Sequence, residues 1–181
     1  MEKVVDINKE RRVAWEFVEY TGISVFLTGK AGTGKTTFLH DLVARTRKRV
    51  VVVAPTGVAA INAGGVTIHS FFQLPLSPFV PGAEMKSKYD FSKEKRKIIA
   101  SLDLLIIDEI SMVRCDLLDA IDYVLRRYRD HHRPFGGVQL LMIGDLVILR
   151  LLLLLKRRGL SSVITKRHTF LVRKLCGRFN M

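Results

Sequence analysis

Two patterns alternate along the chain: short, mostly apolar runs, and longer stretches in which apolar residues recur every three or four positions. Residues 23–28, 50–54, 102–107 and 138–143 are such runs, rich in Val, Ile and Leu, with 50–54 continuous and the others broken by Ser24, Asp103 and Gln139. Such runs predict strands of a parallel sheet buried on both faces. Residues 9–20 place Val13, Phe17 and Tyr20 at helical spacing, with Trp15 and Val18 alongside, and the helix should end near Thr21-Gly22. A second helix is predicted over 36–45 through Phe38, Leu39, Leu42 and Val43. Ser92 can cap a short basic helix reaching about Ser101. Residues 116–128 are amphipathic, with Leu117, Leu118, Ile121, Val124, Leu125 and Tyr128 on one side. Residues 56–65 are small and glycine-dotted, 67–74 are apolar and aromatic, 74–90 carry three prolines and read as loop, and 134–137 read as a turn. Strands alternating with helices predict an α/β domain: a mostly parallel sheet flanked by helices.

Gly29-Lys30-Ala31-Gly32-Thr33-Gly34-Lys35-Thr36 satisfies GxxxxGK[ST], the P-loop pattern, between a predicted strand and a predicted helix. Glycines let backbone N–H groups converge on phosphate oxygens, and the following helix aims its positive end there. Gly29, Ala31, Gly32, Thr33, Gly34, Lys35, Thr36 and Thr37 are therefore candidate nucleotide-binding residues. Lys35 should reach the β and γ phosphates, and Thr36 should give its hydroxyl to Mg²⁺. Asp108-Glu109 follows the apolar run Leu104-Leu105-Ile106-Ile107. Ligands bind at that end of strands in open α/β sheets. Asp108 is the candidate second Mg²⁺ ligand, and Glu109 the candidate base for an attacking water. Together these imply ATP and Mg²⁺ as cofactors and hydrolysis as the reaction. A nucleotide kinase is disfavoured by the carboxylate pair and by the lack of an arginine-rich lid.

Composition narrows the picture without overturning it. The 181 residues carry a formal charge of +13. Charge of that sign suggests a polyanionic partner. It is unevenly placed: residues 1–146 hold 21 basic and 17 acidic residues, whereas residues 147–181 hold nine basic and no acidic ones. The two cysteines, Cys115 and Cys176, form no CxxC pair, which excludes a disulfide scaffold or structural zinc site and fits a reducing, intracellular compartment. The N-terminus has no apolar core for a signal peptide. The longest apolar run, 146–155, is ten residues interrupted by Arg150, against about 20 for a membrane span. The run Lys93, Lys95, Arg96 and Lys97 reads as a solvated helix face.

Several segments in order resemble the Pif family of superfamily-one DNA helicases. Phe26 to Leu39 resembles the family's first motif, and Ala54-Pro55-Thr56-Gly57-Val58-Ala59-Ala60 its motif Ia. Thr67-Ile68-His69-Ser70-Phe71-Phe72 is similar to the segment that follows. Asp108-Glu109-Ile110-Ser111-Met112-Val113 resembles motif II, and the stretch from Phe135-Gly136-Gly137 to Gly144-Asp145 the approach to motif III. The resemblance covers roughly residues 13–146. It implies a RecA-like motor domain that hydrolyses ATP and moves on single-stranded DNA, in helicases of DNA repair and recombination. Mapped here, Thr56 and Gly57 would bind DNA phosphate, and His69, Ser70 and Phe72 would lie nearby. Aromatic faces stack on bases and small polar groups hold the backbone. Core packing is the alternative for Phe71 and Phe72.

The chain departs from the family at three places. No glutamine precedes the P-loop, where the family reads adenine; the segment is Lys9-Glu10-Arg11-Arg12. Motif III, Gly-Asp-x-x-Gln-Leu-Pro-Pro in the family, continues here as Leu146-Val147-Ile148-Leu149-Arg150-Leu151, so Ile148 stands in place of the glutamine that senses the γ-phosphate. The second motor domain, source of arginine fingers worth about 10³–10⁵ in rate, is not in the sequence. The chain is therefore expected to be a motor-domain fragment without helicase activity alone; the alternative is a nucleotide- and DNA-binding module with negligible turnover. Residues 147–181 lack Asp, Glu, Gln, Pro, Ala, Tyr and Trp. At about 12% acidic content, 35 residues without one arise roughly once in a hundred. We read this basic, leucine-rich tail as a shifted reading frame or other gene lesion joined to an intact domain at 1–146; the alternative is a divergent basic, leucine-rich helix covering the sheet edge. Sequencing the gene across codon 146 is expected to reveal Gln-Leu-Pro-Pro in another frame, and its absence there would refute the shift.

Overall fold

The structure is a computed structural model that describes residues 9–29, 32–78, 91–144 and a strand at 169–172. In chain order the elements are α1 (Lys9–Tyr20), β1 (Ser24–Leu27), α2 (Lys35–Arg45), β2 (Val50–Ala54), α3 (Gly57–Ala63), β3 (Val66–Thr67), α4 (Ile68–Phe72), α5 (Lys93–Ser101), β4 (Leu104–Ile107), α6 (Cys115–Tyr128), β5 (Gln139–Ile143) and β6 (Thr169–Val172). The strands form one sheet in the order β3-β2-β4-β5-β1-β6, and every pairing is parallel.

Unbroken apolar strands fit this sheet because it has two dry faces. Side chains alternate across a strand. Val25, Leu27, Val52, Leu104, Ile106, Leu141 and Ile143 therefore pack with Ala14 and Val18 of α1, Phe38, Leu39 and Leu42 of α2, and Ala63 of α3. Phe26, Val53, Leu105, Ile107 and Leu140 meet the other face, where α4, α5 and α6 contribute Ile68, Ile99, Leu118, Ile121 and Leu125. The fold is a helix–sheet–helix sandwich around a parallel sheet, as the run pattern implied.

Several expectations are revised. On α1 the fully buried residues are Ala14 and Val18, while Tyr20 is 75% exposed, so the buried face is rotated from the one read through Val13, Phe17 and Tyr20. Residues 56–65 contain the helix α3. Thr56 Oγ1 accepts from Ala59 N at 3.2 Å to cap it, and left-handed Gly64 ends it. Residues 67–74 contain α4, capped by Thr67. On α5, Ser92 caps as expected. Lys95, however, lies 3.4 Å from the Phe71 ring centroid and Arg96 Nε donates to Phe91 O at 2.9 Å, so two of its four cations are engaged with the domain. Residues 79–90 of the proline-bearing loop and the tail reading lie outside the described residues, apart from β6. There a strand pairs with the sheet edge beside β1.

Lys48 fastens α1 to the sheet. Its ammonium donates to Val18 O, to Thr21 O at 2.6 Å and to Gln139 Oε1 at 2.5 Å. Gln139 Nε2 in turn donates to Ile23 O at 2.7 Å and Phe17 O at 3.2 Å. A cation at a helix C-terminus also complements the helix dipole. Burial pushes the Lys48 pKa down, a cost that these oxygens offset. Lys48→Met should lower stability by about 1–3 kcal/mol in urea unfolding, because buried oxygens lose their donor.

Arg49 and Asp103 pair at the same end, with Nη2–Oδ1 at 2.7 Å and Nε–Oδ2 at 2.7 Å. The guanidinium holds the Asp103 carboxyl at about 2, below its ordinary 3.8. A lowered carboxylate pKa stabilises the fold above 3.8, and the contribution disappears as pH falls through about 2. Both side chains are more than a third exposed, so screening keeps the effect under about 1 kcal/mol. Urea unfolding of the protein and of Asp103→Asn should converge across that pH window, the wild type losing its advantage on the acid side.

Candidate nucleotide site

Strand register brings the predicted site residues to one edge. Leu27 is level with Ile143, Ile107 with Met142 and Val53, and Ala54 with Thr67. The carboxyl ends of β1, β5, β4, β2 and β3 therefore form a row. The loop after β1 carries the glycine-rich motif, and the residue after β4 is Asp108.

Within that loop Gly32 and Gly34 have φ of +78° and +83°, the left-handed region that favours glycine. Gly34 is the N-cap of α2 and has no side chain to cap with. Its carbonyl accepts the first helical bond from Phe38 N at 2.9 Å. Lys35 Nζ donates to Gly29 O at 2.5 Å, closing the loop across its mouth. Thr36 and Thr37 are exposed on the first turn of α2. Thr33 Oγ1 is buried without a hydrogen-bond partner, an orphan rarely left in a folded protein. Lys30 and Ala31 lie outside the described residues.

Asp108 is tied to β2 through its backbone, Asp108 N donating to Val53 O at 2.9 Å. Burial pushes its carboxyl pKa up, opposed by its neighbour's backbone and by the charges of Lys35 and His40. Glu109 is exposed and left-handed, φ 50° and ψ 44°, a strained backbone for a side-chain-bearing residue. It starts the 3₁₀ turn Ile110–Met112, with Met112 N donating to Glu109 O at 2.9 Å. β5 lies between β1 and β4 and brings Gly144 between the loop and the carboxylates. Gly144 N donates to Leu27 O at 3.1 Å, and a Cβ there would stand 2.8 Å from Ile110 Cγ2. Asp145 lies outside the described residues.

The predicted DNA residues divide. Because Ala54 and Thr67 are level on adjacent strands, Thr56 with Gly57 and His69 with Ser70 leave the sheet side by side. Thr56, Gly57 and Ser70 are exposed and His69 is half-buried. Phe72 is 1% exposed and edge-to-face with Phe71 at 4.9 Å. It packs in the core and has no ring face to offer a base, so the expectation for Phe72 is corrected.

Two residues at this edge escaped the sequence reading. Arg11 Nη2 donates to Gly34 O at 2.7 Å. Its signal was the helical spacing of Arg11, Ala14 and Val18, which puts it on the sheet-facing side of α1. His40, one turn into α2, approaches Asn62 O of α3 at 3.1 Å, a contact between elements distant in sequence.

The sequence model of the PIF1-like helicase family matches residues 6–158, continuing past Leu146. The ATP-dependent DNA helicase PIF1 of Saccharomyces cerevisiae is 37% identical over 144 residues, covering 77% of this chain and 16% of that protein. The crystal structure of Pif1 helicase from Bacteroides in complex with ADP-AlF3 and ssDNA aligns with a TM-score of 0.73 at 48% identity, over 77% of this chain and 32% of that one. The crystal structure of Pif1 helicase from Candida albicans aligns at 0.67 and 29% identity, over 93% and 40%. The chain thus spans about a sixth of the yeast relative and a third of the Bacteroides structure. On the family match and these alignments, the chain belongs to the PIF1-like helicase family.

Proposed function

We propose that this chain is the ATP-binding and ATP-hydrolysing motor domain of a DNA helicase, acting on single-stranded DNA. The observation that carries the reading is the convergence of Lys35, Asp108 and Glu109 at one sheet edge, beneath a loop whose Thr33 hydroxyl is buried and unpartnered. A similar protein has been crystallised with ADP-AlF3 and ssDNA, which supports the same ligands here.

The loop and the first turn of α2 offer backbone N–H groups that no side chain caps, and these suit phosphate oxygens. Lys35 exchanges the Gly29 carbonyl for the β and γ phosphates. Thr36 and Asp108 are the residues that would hold Mg²⁺. Among the described residues no three His, Cys, Asp or Glu side chains cluster as a metal site. An ion retained by one hydroxyl, one carboxylate, phosphate and water fits Mg²⁺ chemistry. Bound there, Mg²⁺ would neutralise charge on the transferring phosphoryl group. Glu109, exposed at the strand end, accepts the proton of the attacking water. Thr56 and Gly57 offer a hydroxyl and a backbone N–H to DNA phosphate, with His69 and Ser70 beside them. Residues 1–146 form the motor domain, and residues 169–172 of the 147–181 tail add a strand to the edge of its sheet. This segment alone binds nucleotide and single-stranded DNA and does not unwind duplex.

Single-turnover ATP hydrolysis with and without single-stranded DNA tests this reading. Hydrolysis should be stimulated by DNA, abolished by Lys35→Ala, and reduced roughly 10²–10⁴-fold by Glu109→Gln with nucleotide binding retained. Binding without turnover in the wild type would assign the chain as a nucleotide- and DNA-binding module. Failure to bind nucleotide at all would refute both.

A further inference from the structure

Arg11 and Arg12 are neighbours on the first turn of α1, yet they serve different ends. Arg12 pairs with Glu16 at 3.5 Å, one turn on, and both side chains are more than half exposed. Arg11 shares a face with the fully buried Ala14 and Val18, so it is turned toward the sheet. Its guanidinium ends on the glycine-rich loop, Nη2 donating to Gly34 O at 2.7 Å. It lies against the glycine itself: a Cβ on Gly34 would stand 2.0 Å from Arg11 Nη2 and 3.1 Å from its Cζ. Glycine at 34 therefore leaves room for the arginine as well as for the left-handed turn.

The bond to Gly34 does not account for that arrangement. The same carbonyl already accepts from Phe38 N at 2.9 Å, so the helix start is satisfied without Arg11. A guanidinium has five N–H donors in a planar fork suited to phosphate. Gly34 immediately precedes Lys35, and Thr33 on its other side holds a buried, unpartnered hydroxyl. A permanent cation thus meets the loop at its phosphate end. It is a poor reader of adenine, whose amino group needs an acceptor that arginine lacks.

We propose that Arg11 is a second phosphate-binding cation of the nucleotide site, holding the phosphate chain of a nucleoside triphosphate irrespective of its base. The inference rests on the reading of the loop as a nucleotide site. When nucleotide enters, Arg11 donors turn to phosphate oxygens while Lys35 leaves Gly29. The segment that departs from the family's adenine-reading glutamine thereby gains a contact with the charge common to all nucleotides.

The test is equilibrium competition of ATP, GTP and inorganic tripolyphosphate against a fluorescent nucleotide, on the full chain and on Arg11→Ala, Arg11→Lys and Arg11→Gln. Arg11→Ala should weaken all three ligands alike, by roughly tenfold to a hundredfold. Arg11→Lys should recover part of the loss. Arg11→Gln, which keeps an N–H donor on a shorter side chain but carries no charge, should recover little. Wild-type affinity in Arg11→Gln would assign Arg11 to bracing the loop, and a loss confined to one base would make it a base reader; either result overturns the proposal. The lysine–glutamine comparison decides the matter even if the alanine variant is unstable. A wild type that binds no nucleotide would refute the site itself. Binding that depends on Lys35 but not on Arg11 would refute this inference alone.

Discussion

All strands of the sheet run the same way, and the chemistry of the molecule depends on that constraint. Parallel strands need a crossover between them, and from β1 to β5 the crossovers carry helices that cover both faces. Their carboxyl ends consequently open at one edge, where the loops after β1, β2, β3, β4 and β5 emerge together. Lys35 and Asp108 are 73 positions apart in sequence, yet Asp108 has Lys35 among the charges acting on its carboxyl. No local preference of either segment could achieve this. It follows from strand order, with β5 inserted between β1 and β4.

The inserted strand sets the spacing of the site. Gly144 at the end of β5 has no side chain, and the backbone of Ile110 and Ser111 fills the room a Cβ would take, with Ser111 N 3.2 Å from that position. The turn after Asp108 can thus close against β5. The left-handed Glu109 backbone is part of the same turn, reversing the chain directly after the strand. Strain at such a residue persists only where its surroundings enforce it, and here fully buried Ile107 precedes it and buried Ile110 follows.

Most of this was legible in sequence because the apolar pattern and the motif spacing agree. Val50 to Ala54 and Leu104 to Ile107 read as doubly buried strands, and they are. GxxxxGK[ST] marked the loop, and the carboxylate pair after an apolar run marked the opposite wall. The misses have physical reasons. α3 and α4 are seven and five residues long, held by the Thr56 and Thr67 caps and by tertiary packing, so periodicity has too few turns to register. Phe72 reads equally as a stacking platform or as core, and only its burial separates the two. On α1, apolar residues lie on more than one face, and small Ala14 gave no weight to the face that is buried. Arg11 was overlooked with it.

Charge invites the largest misreading. A net +13 points to nucleic acid, but among the described residues Arg11, Lys35, Lys48, Arg96, Arg126 and Arg129 donate to backbone carbonyls. Lys48 holds the end of α1. Arg129 donates to Ile99 O at 2.8 Å, to Ala100 O at 2.5 Å and to Gly136 O at 3.1 Å, joining the end of α5 to the turn before β5. Arg126 Nη1 reaches His131 O at 3.1 Å, and Arg96 reaches Phe91 O. Parallel α/β architecture produces many helix C-termini, whose last carbonyls lack intrahelical partners and carry the negative end of the helix dipole. Long cationic side chains satisfy several of them here. Lys35 and Arg11 also bind carbonyls, but those of Gly29 and Gly34, in the loop at the carboxyl edge of the sheet. A cation on a helix-end carbonyl fastens an element. A cation on a glycine-rich loop at the head of a helix sits where an anion is favoured, so its bond to carbonyl oxygen is one that phosphate can replace. Position relative to the sheet edge, and not the sum of charges, separates the two uses.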